Sequence, residues 1–147
     1  KGGESRTESV LAGLRETDPQ ASLIAIHDGA RPFLPLEVLE QTIETARQRG
    51  AAAPALPVKD TIKVAREGVV QQTPDRARLF GVQTPQVFEA SLTKAWEEGA
   101  ALTDDCSAVE RIGFPVCLTQ GSEENIKITT PRDLTWGEVI LAERMGR

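Results

Sequence analysis

The sequence predicts an α/β fold in which a mostly parallel sheet is flanked by helices. Leu23–Ile26 is an uninterrupted apolar run, too short for a normal helix and typical of a strand buried on both faces. Helical spacing follows between Pro35 and Gly50, and residues 51–58 form a second apolar run. This strand, helix and strand order indicates a right-handed parallel crossover.

Size and composition are those of one globular domain and exclude several classes of function. The chain has 147 residues, is 39% hydrophobic and carries a net charge of −5, which argues against a general nucleic-acid binder. No apolar stretch approaches the length of a membrane span, and the start has no signal-peptide pattern. Two cysteines and a single histidine cannot supply an ordinary zinc site. We therefore expect neither a nucleic acid nor a membrane as a partner.

The first residues predict a glycine turn that runs into a helix. Ser5 and Glu8 have the spacing of a capping box, and Gly3, Arg6 and Ser9 recur at intervals of three, on one face of the first turns. A helix N-terminus that carries an Arg and a Ser hydroxyl is suited to a phosphate or a nucleotide. The alternative is a simple turn before a helix.

The polarity changes abruptly where the first strand ends. His27, Asp28 and Arg31 follow the apolar run, with Gly29 between them. Ligands of open α/β sheets bind outside the carboxyl ends of strands, and a carboxylate with a guanidinium there could address a metal ion or a phosphate. Alternatively, Asp28 caps a turn and Arg31 pairs with it.

The next helix and strand form the crossover. The helix is predicted to bury four residues at helical spacing, namely Leu36, Leu39, Ile43 and Ala46, and Gly50 is predicted to end it. Pro54 and Pro57 interrupt the second strand, so we expect it to lie near an edge of the sheet or to bend.

Residues 57–78 are predicted to form a protruding hairpin arm. Residues 57–64 alternate like an exposed strand, Arg66, Glu67 and Gly68 form a turn, and residues 69–73 return, with Arg76 near the base. A two-stranded hairpin is marginal alone, which favours a second subunit as its support. The alternative is a hairpin folded back on its own domain.

Five further elements are predicted beyond the arm. Residues 89–98 read as a helix with Leu92, Ala95 and Trp96 inward, and Thr103 or an adjacent Asp caps a short helix over residues 106–112. Strands are predicted over residues 114–119 and 125–129, with Lys127 pointing away from its Ile neighbours. The last helix begins at Thr130 and Pro131, and its predicted anchors are Leu134, Val139, Ile140 and Leu141.

Six motifs in order carry a resemblance to a known family. They are Gly-Gly-x-x-Arg-x-x-Ser-Val, His-Asp-x-Ala-Arg-Pro-Phe, Pro-Val-Lys-Asp-Thr-Ile-Lys, Gln-Thr-Pro-Gln-x-Phe, Thr-Asp-Asp and Asn-Ile-Lys-Ile-Thr-Thr-Pro-x-Asp-Leu. The series resembles the 2-C-methyl-D-erythritol 4-phosphate cytidylyltransferases of the non-mevalonate isoprenoid pathway over nearly the whole chain. The resemblance implies a Rossmann-like homodimer joined by the hairpin arm. It also implies transfer of CMP from CTP to a sugar-alcohol phosphate with Mg²⁺, in the bacterial cytoplasm or the plastid stroma.

The resemblance also implies the roles of individual residues. The nucleotide side would comprise Gly3, Arg6, Ser9 and Gly29, and Asp28 is the candidate metal ligand. The sugar-phosphate side would comprise Asp28, Arg31, Thr61, Arg76, Thr84, Thr103 and Lys127. Of these, Thr61 and Arg76 would enter the neighbouring subunit's site, and Arg76 and Lys127 are the expected catalytic pair. His27 is expected to have a structural role only.

The family carries a glycine-rich nucleotide loop with basic residues upstream of the first motif seen here. We therefore expect residues 1–147 to be a partial nucleotidyltransferase domain that is inactive alone if that loop is truly absent. Two alternatives remain. One is ribitol-5-phosphate cytidylyltransferase, which shares the strand-end Asp and Arg, and the other is a truncated, non-catalytic fragment that dimerises.

Overall fold

The computed structural model describes residues 2–96 and 104–146. Within them the helices are α1 (Arg6–Leu14), α2 (Leu36–Arg49), α3 (Cys106–Arg111) and α4 (Pro131–Met145). The strands are β1 (Leu23–Ile26), β2 (Ala51–Pro57), β3 (Val64–Arg66), β4 (Val69–Gln72), β5 (Phe80–Val82), β6 (Gln86–Glu89) and β7 (Cys117–Gln120). Two 3-10 segments cover Arg76–Arg78 and Ala90–Trp96.

A five-stranded mixed sheet forms the centre of the fold. Its order is β1–β6–β2–β5, and β7 pairs with the other edge of β2. The β1–β6, β6–β2 and β2–β5 pairs are antiparallel, and only β2–β7 is parallel. The α/β class is therefore confirmed, but the prediction of a mostly parallel sheet is wrong for these pairs. The crossover through α2 leaves a gap between the like-directed β1 and β2, and the oppositely directed β6 fills it.

Strand β2 is central, so the prediction that its prolines place it near an edge is wrong. On one side β2 pairs with β6 through Ala51 and Ala52 and with β5 from Ala55 onward. Pro54 lies in the interval between these two partners, and its carbonyl accepts a hydrogen bond from Gln83 N at 2.8 Å. Because the ladder changes partner there, the N–H that proline lacks is not needed.

Strand β1 is less buried than predicted. Its only pairing within the described residues is with β6, and Ala25 is exposed although Ile24 is buried. The expectation of a strand buried on both faces is therefore wrong at Ala25, where the strand borders an open cavity beside α1.

Helices cover both faces of the sheet. On one face α2 buries Ala46 against Ala52 and Val87, and on the other Trp96 and Val109 pack near Phe88. Of the predicted inward residues of α2, Ala46 is buried, Leu39 and Ile43 are half-buried, and Leu36 is 64% exposed. Leu36 is the first residue of the helix, and the buried face begins at Val38. Gly50 ends α2 at φ 86°, as predicted, and a Cβ there would lie 2.5 Å from Phe114 Cζ.

Strands β3 and β4 form a separate two-stranded sheet, which confirms a hairpin within the predicted segment. The prediction of an exposed strand over residues 57–64 is wrong, because Pro57 ends β2, residues 58–63 form no strand and β3 covers Val64–Arg66. The turn uses Glu67 and Gly68 at φ 51° and 79°, a combination typical of hairpin turns that match the strand twist. Val64, Val69 and Val70 are all exposed, at 48%, 63% and 53%. The alternative of a hairpin folded back on its own domain is therefore wrong for the chain alone.

The segments after β6 follow the predictions in part. Residues 90–96 form a 3-10 segment that buries Ala95 and Trp96, and β7 is shorter than predicted and begins at Cys117. Residues 125–129 do not form a strand, but Ile128 N donates to Ala30 O at 2.8 Å and Lys127 is exposed between half-buried neighbours. The predicted helix end beyond residue 96 lies outside the described residues.

Helix α4 begins as predicted but packs differently. The Asp133 carboxylate accepts the Thr130 N–H at 2.7 Å and so caps the first turn. Of the four predicted anchors only Ile140 is buried; the other three, Leu134, Val139 and Leu141, are 45–55% exposed. The helix is held instead by Arg144, which donates to the Phe33 carbonyl at 2.7 Å and to Glu124 at 2.9 Å. No helix in residues 2–96 or 104–146 is long and apolar enough to cross a membrane.

Candidate active site

Charged side chains from three parts of the chain meet beyond the carboxyl end of β1. The Lys127 Nζ lies 3.0 Å and the Arg31 Nε 3.5 Å from Asp28 Oδ2. The Arg6 guanidinium approaches the other oxygen, with NH2 at 3.9 Å from Oδ1. We call Asp28, Arg31, Lys127 and Arg6 the Asp28 cluster. The structure therefore brings together four of the predicted site residues.

The cations determine the protonation state of Asp28. Partial burial by itself would raise the pKa of this carboxyl. The hydrogen bond from Lys127 and the charges of Lys127, Arg31 and Arg6 outweigh that effect and lower the pKa of Asp28 below its ordinary value of 3.8. Asp28 is therefore ionised at neutral pH, and the cluster carries an excess of positive charge suited to an anionic ligand.

Thr84 and His27 fix the loop that carries Asp28. The Thr84 Oγ1 accepts the Asp28 N–H at 3.0 Å and lies 2.9 Å from His27 Nδ1. His27 Nε2 lies 3.0 Å from the Arg31 carbonyl, which can only accept, so Nε2 carries the proton. In the neutral ring Nδ1 then accepts from the Thr84 hydroxyl. This geometry gives His27 the structural role expected from the sequence.

Asn125 links the cluster residues, and sequence reasoning missed it. Its carbonyl accepts Arg31 NH1 at 2.7 Å, and its side-chain Nδ2 donates to the Thr84 carbonyl at 2.8 Å. The side chain is fully buried, and Lys127 follows two residues later. The signal was available in the Asn-Ile-Lys motif, but nothing in the sequence identifies the partners of a buried amide.

The N-terminus of α1 adds a second group of predicted residues. Gly3 N donates to Ser9 Oγ at 3.0 Å, and Ser5 and Glu8 form the predicted capping box. A Cβ on Gly3 would lie 2.2 Å from the Glu8 Cβ, so this position requires glycine. Arg6 forms two hydrogen bonds with the buried Asp105, at 2.8 and 2.5 Å. The sequence predicted that Thr103 or an adjacent Asp caps α3. In the structure Asp104 takes the capping role by accepting Ser107 N at 3.1 Å, and Asp105 makes no side-chain capping bond.

Two cavities lie on either side of the cluster. One of about 450 Å³, between α1 and β1, is lined by residues that include Arg6, Ser9, Asp28 and Gly29. A second of about 450 Å³ is lined by residues that include Arg31, Gln83 and Asn125. The cluster thus has room for a ligand on each side.

Two of the predicted site residues lie elsewhere. Thr61 and Arg76 belong to the arm and its base, and neither forms a hydrogen bond or ion pair with the Asp28 cluster. Arg76 NH1 donates instead to the Lys59 carbonyl at 2.8 Å, beside an open cavity of about 670 Å³. Thr103 lies outside the described residues.

The donor groups fit a magnesium ion only in part. Across residues 2–96 and 104–146 no group of three or more His, Cys, Asp or Glu side chains could hold a metal ion. Asp28 is one carboxylate, and its oxygens already face three cations. Mg²⁺ commonly takes one or two carboxylates and completes its shell with water and substrate phosphates, and Asp28 fits that arrangement and no other.

Comparison with known proteins identifies the family. The model of the 2-C-methyl-D-erythritol 4-phosphate cytidylyltransferase family, IspD, matches residues 1–143. The chain belongs to this family. It is 50% identical over 147 residues to the cytidylyltransferase of Caldanaerobacter subterraneus subsp. tengcongensis, covering 96% of this chain and 65% of the relative. It is 49% identical over 150 residues to that of Geobacillus kaustophilus, covering 99% of this chain and 65% of the relative.

Solved cytidylyltransferase structures share the fold. The crystal structure of the Thermus thermophilus protein superposes with a TM-score of 0.86 at 33% identity, covering 97% of this chain and 72% of that one. The 4-diphosphocytidyl-2C-methyl-D-erythritol synthase of Anaerococcus prevotii superposes with a TM-score of 0.88 at 33% identity, covering 96% and 68%. The Rossmann-like α/β architecture predicted from the sequence is thereby confirmed. The chain spans about 65% of the length of the curated relatives that it matches.

Proposed function

We propose that this chain takes part in the transfer of CMP from CTP to 2-C-methyl-D-erythritol 4-phosphate, a step of isoprenoid precursor synthesis. Membership of the cytidylyltransferase family supports the reaction. The observation that carries it is the Asp28 cluster, in which three cations from distant parts of the chain converge between two cavities. Such a site suits two anionic substrates that must be brought together.

The chemistry consists mainly of positioning and neutralising charge. An oxygen of the sugar phosphate attacks the α-phosphorus of CTP, the bond from that phosphorus to the β-phosphate bridge breaks, and pyrophosphate leaves. The two substrates repel each other, so cations that hold both lower the barrier. Lys127 and Arg76 would bind the incoming phosphate, with Arg31, Thr84 and Thr103 lining its pocket. A phosphate is already ionised near neutral pH, so no general base is required.

The nucleotide would occupy the cavity between α1 and β1. Arg6, Ser9 and Gly29 line this cavity, and the Gly3 N–H donates a hydrogen bond to the Ser9 hydroxyl. The N-terminus of a helix favours negative charge, which suits phosphate groups. A Mg²⁺ ion bound by the triphosphate and by Asp28 would neutralise part of the charge on the phosphates.

The hairpin arm would join two copies of the chain. Its exposed valines give β3 and β4 an apolar surface with no partner among residues 2–96 and 104–146. In a homodimer built through the arm, Thr61 and Arg76 would reach the neighbouring subunit's Asp28 cluster. The family reaction would take place in the bacterial cytoplasm, or in the plastid stroma if the chain comes from a plant.

Turnover by the protein as its gene encodes it tests the proposal. Pyrophosphate release is measured with CTP and Mg²⁺, with either 2-C-methyl-D-erythritol 4-phosphate or ribitol 5-phosphate as the acceptor. The proposal expects release with the first acceptor and at most a small fraction with the second. A preference for ribitol 5-phosphate would assign the chain to the alternative reaction. A dimer that neither binds CTP nor releases pyrophosphate would identify a non-catalytic fragment.

A further inference from the structure

We propose that Asp105 is a positioning residue for Arg6 and thereby controls the affinity for the nucleotide. The inference rests on the proposed function, because it assumes that a nucleotide occupies the cavity beside α1. Asp105 stands at the start of α3, 99 residues from Arg6. No motif or spacing in the sequence connects the two.

The Asp105 carboxylate binds the guanidinium in a fixed plane. Oδ1 accepts Arg6 NH1 at 2.8 Å and Oδ2 accepts Arg6 NH2 at 2.5 Å. Two parallel hydrogen bonds of this kind specify orientation as well as distance. The Asp105 side chain is fully buried whereas that of Arg6 is 35% exposed, so one edge of the guanidinium is held inside while Arg6 also lines the nucleotide cavity.

Asp105 is itself held by the core. Trp96 Nε1 donates to Asp105 Oδ1 at 3.1 Å, and Trp96 is 1% exposed and packs edge-on against Phe88, with ring centroids 5.2 Å apart. The carboxylate cannot rotate without breaking these bonds. It also makes no helix-capping bond, since Asp104 accepts Ser107 N in that role. Besides the bond from Trp96, the side-chain hydrogen bonds of Asp105 go to Arg6.

This arrangement keeps Arg6 away from Asp28. The Arg6 NH2 lies 3.9 Å from Asp28 Oδ1, against 2.5 Å from Asp105 Oδ2. Without the Asp105 charge, Arg6 would be drawn to Asp28, the other carboxylate that it faces at close range. A full Arg6–Asp28 ion pair would change the orientation of the guanidinium within the nucleotide cavity and would engage the Asp28 oxygen that Lys127 does not hold.

Substitution of Asp105 should therefore raise the KM for CTP and leave that for the sugar phosphate unchanged. For the protein as its gene encodes it, we expect Asp105→Asn to raise the KM for CTP about tenfold or more. Asp105→Glu keeps the charge and should restore most of the affinity. Arg6→Gln should raise the KM for CTP to a similar extent, and adding Asp105→Asn to Arg6→Gln should raise it no further.

Asp104→Asn is the matched control, because it removes the neighbouring carboxylate that caps α3 and that acts on Arg6 through its charge alone, whereas Asp105 also forms two hydrogen bonds with Arg6. We expect it to lower the melting temperature and to change the KM for CTP far less than Asp105→Asn does. Fluorescence gives a separate readout. In a Trp136→Phe background Trp96 is the single tryptophan of residues 1–147, and any tryptophan elsewhere in the encoded protein is replaced by Phe as well. Its emission should respond to CTP, and Asp105→Asn should abolish the response.

The outcomes separate this inference from the proposed function. If the wild-type protein binds CTP and turns over, but Asp105→Asn and Asp104→Asn change only the melting temperature, Asp105 is purely structural and the inference is wrong. A double variant with a KM for CTP far above that of Arg6→Gln alone would also contradict the inference, since Asp105 would then act independently of Arg6. A wild-type protein that binds no CTP would overturn the proposed function and the inference together.

Discussion

The Asp28 cluster and the hairpin arm differ in how much of their support comes from the rest of the chain. In the cluster every charged group has a partner from a distant part of the same chain, and Asp28 is only 18% exposed. In the arm the valines are about half exposed, and the Arg76 side chain donates to the nearby Lys59 carbonyl. The first region is ordered by the sheet, and the second is ordered only locally.

The difference shows which part of the proposed site one chain can organise alone. Side chains at the ends of packed strands are held by buried hydrogen bonds, such as that from Asn125 to the Thr84 carbonyl. Side chains on a two-stranded hairpin have no core behind them and need another surface. If Arg76 and Thr61 act on substrate, the arm must bring them to a site that the same chain does not complete.

Loss of the cluster's exposed cation should have the largest effect. We expect Lys127→Ala to lower kcat/KM for the cytidylyl transfer by about 10²–10³, because a positioned cation of this kind contributes about 3–4 kcal/mol in the transition state. Lys127→Arg keeps the charge and should retain part of the activity. Steady-state pyrophosphate release measures both variants. Equal activity of Lys127→Ala and the wild type would exclude Lys127 from the site.

Mixing two inactive variants tests whether the arm acts across subunits. Lys127→Ala and Arg76→Ala should each be nearly inactive alone. In a mixed dimer one site keeps Lys127 from one copy and Arg76 from the other, so unfolding and refolding the two together should recover about a quarter of the wild-type activity. If Arg76 serves its own chain, both sites of the mixed dimer lack a cation and no activity returns.

A charge on the arm should dissociate the proposed dimer without unfolding the chain. We expect Val70→Asp to shift the protein to a monomer in sedimentation or light scattering, because the valine is 53% exposed here and would be buried between two arms. Val139→Asp on α4 is the matched control, since Val139 is 45% exposed outside the arm. An equal shift in both variants would place the interface elsewhere.

The smallest effect concerns the dependence of stability on pH. The pKa of Asp28 is lowered in the folded chain, so its ion pairs stabilise the fold above the ordinary value of 3.8. The stabilisation is lost as the pH falls from there through the lowered pKa. The difference in unfolding free energy between the wild type and Asp28→Asn should therefore be constant from pH 7 to about pH 5 and shrink in stronger acid. When Lys127 is replaced by Ala in both proteins, the difference in unfolding free energy between Asp28 and Asn at this position should be smaller.

Local chemistry made much of the molecule predictable. The Ser5–Glu8 capping box, the end of α2 at Gly50 and the hairpin turn all depend on neighbouring residues. The polar residues after β1 indicated the site because strand ends and ligand sites coincide in α/β folds. These features need no knowledge of distant partners.

What could not be predicted depends on partners far along the chain. Because β6 lies between β1 and β2, these strands form antiparallel pairs instead of the parallel pair that was predicted. No residue of β1 indicates which strand will lie beside it. Asp105 read as a helix cap because its partner Arg6 is 99 residues away. The apolar residues of α4 suggested a wide buried face, whereas Arg144 and Gly137 make the contact with Phe33.

The ladder between β2 and β5 has a consequence for how such proteins diversify. Pro57 and Phe80 face each other where the two strands separate, and the whole arm lies between them. The arm leaves the sheet and returns to it at one point. Its length and surface can therefore change while the strand ends near Asp28 stay in register. Arms exchanged between homologues would thus alter the surface proposed to join two subunits and, with it, the Thr61 and Arg76 side chains proposed to act on the sugar phosphate.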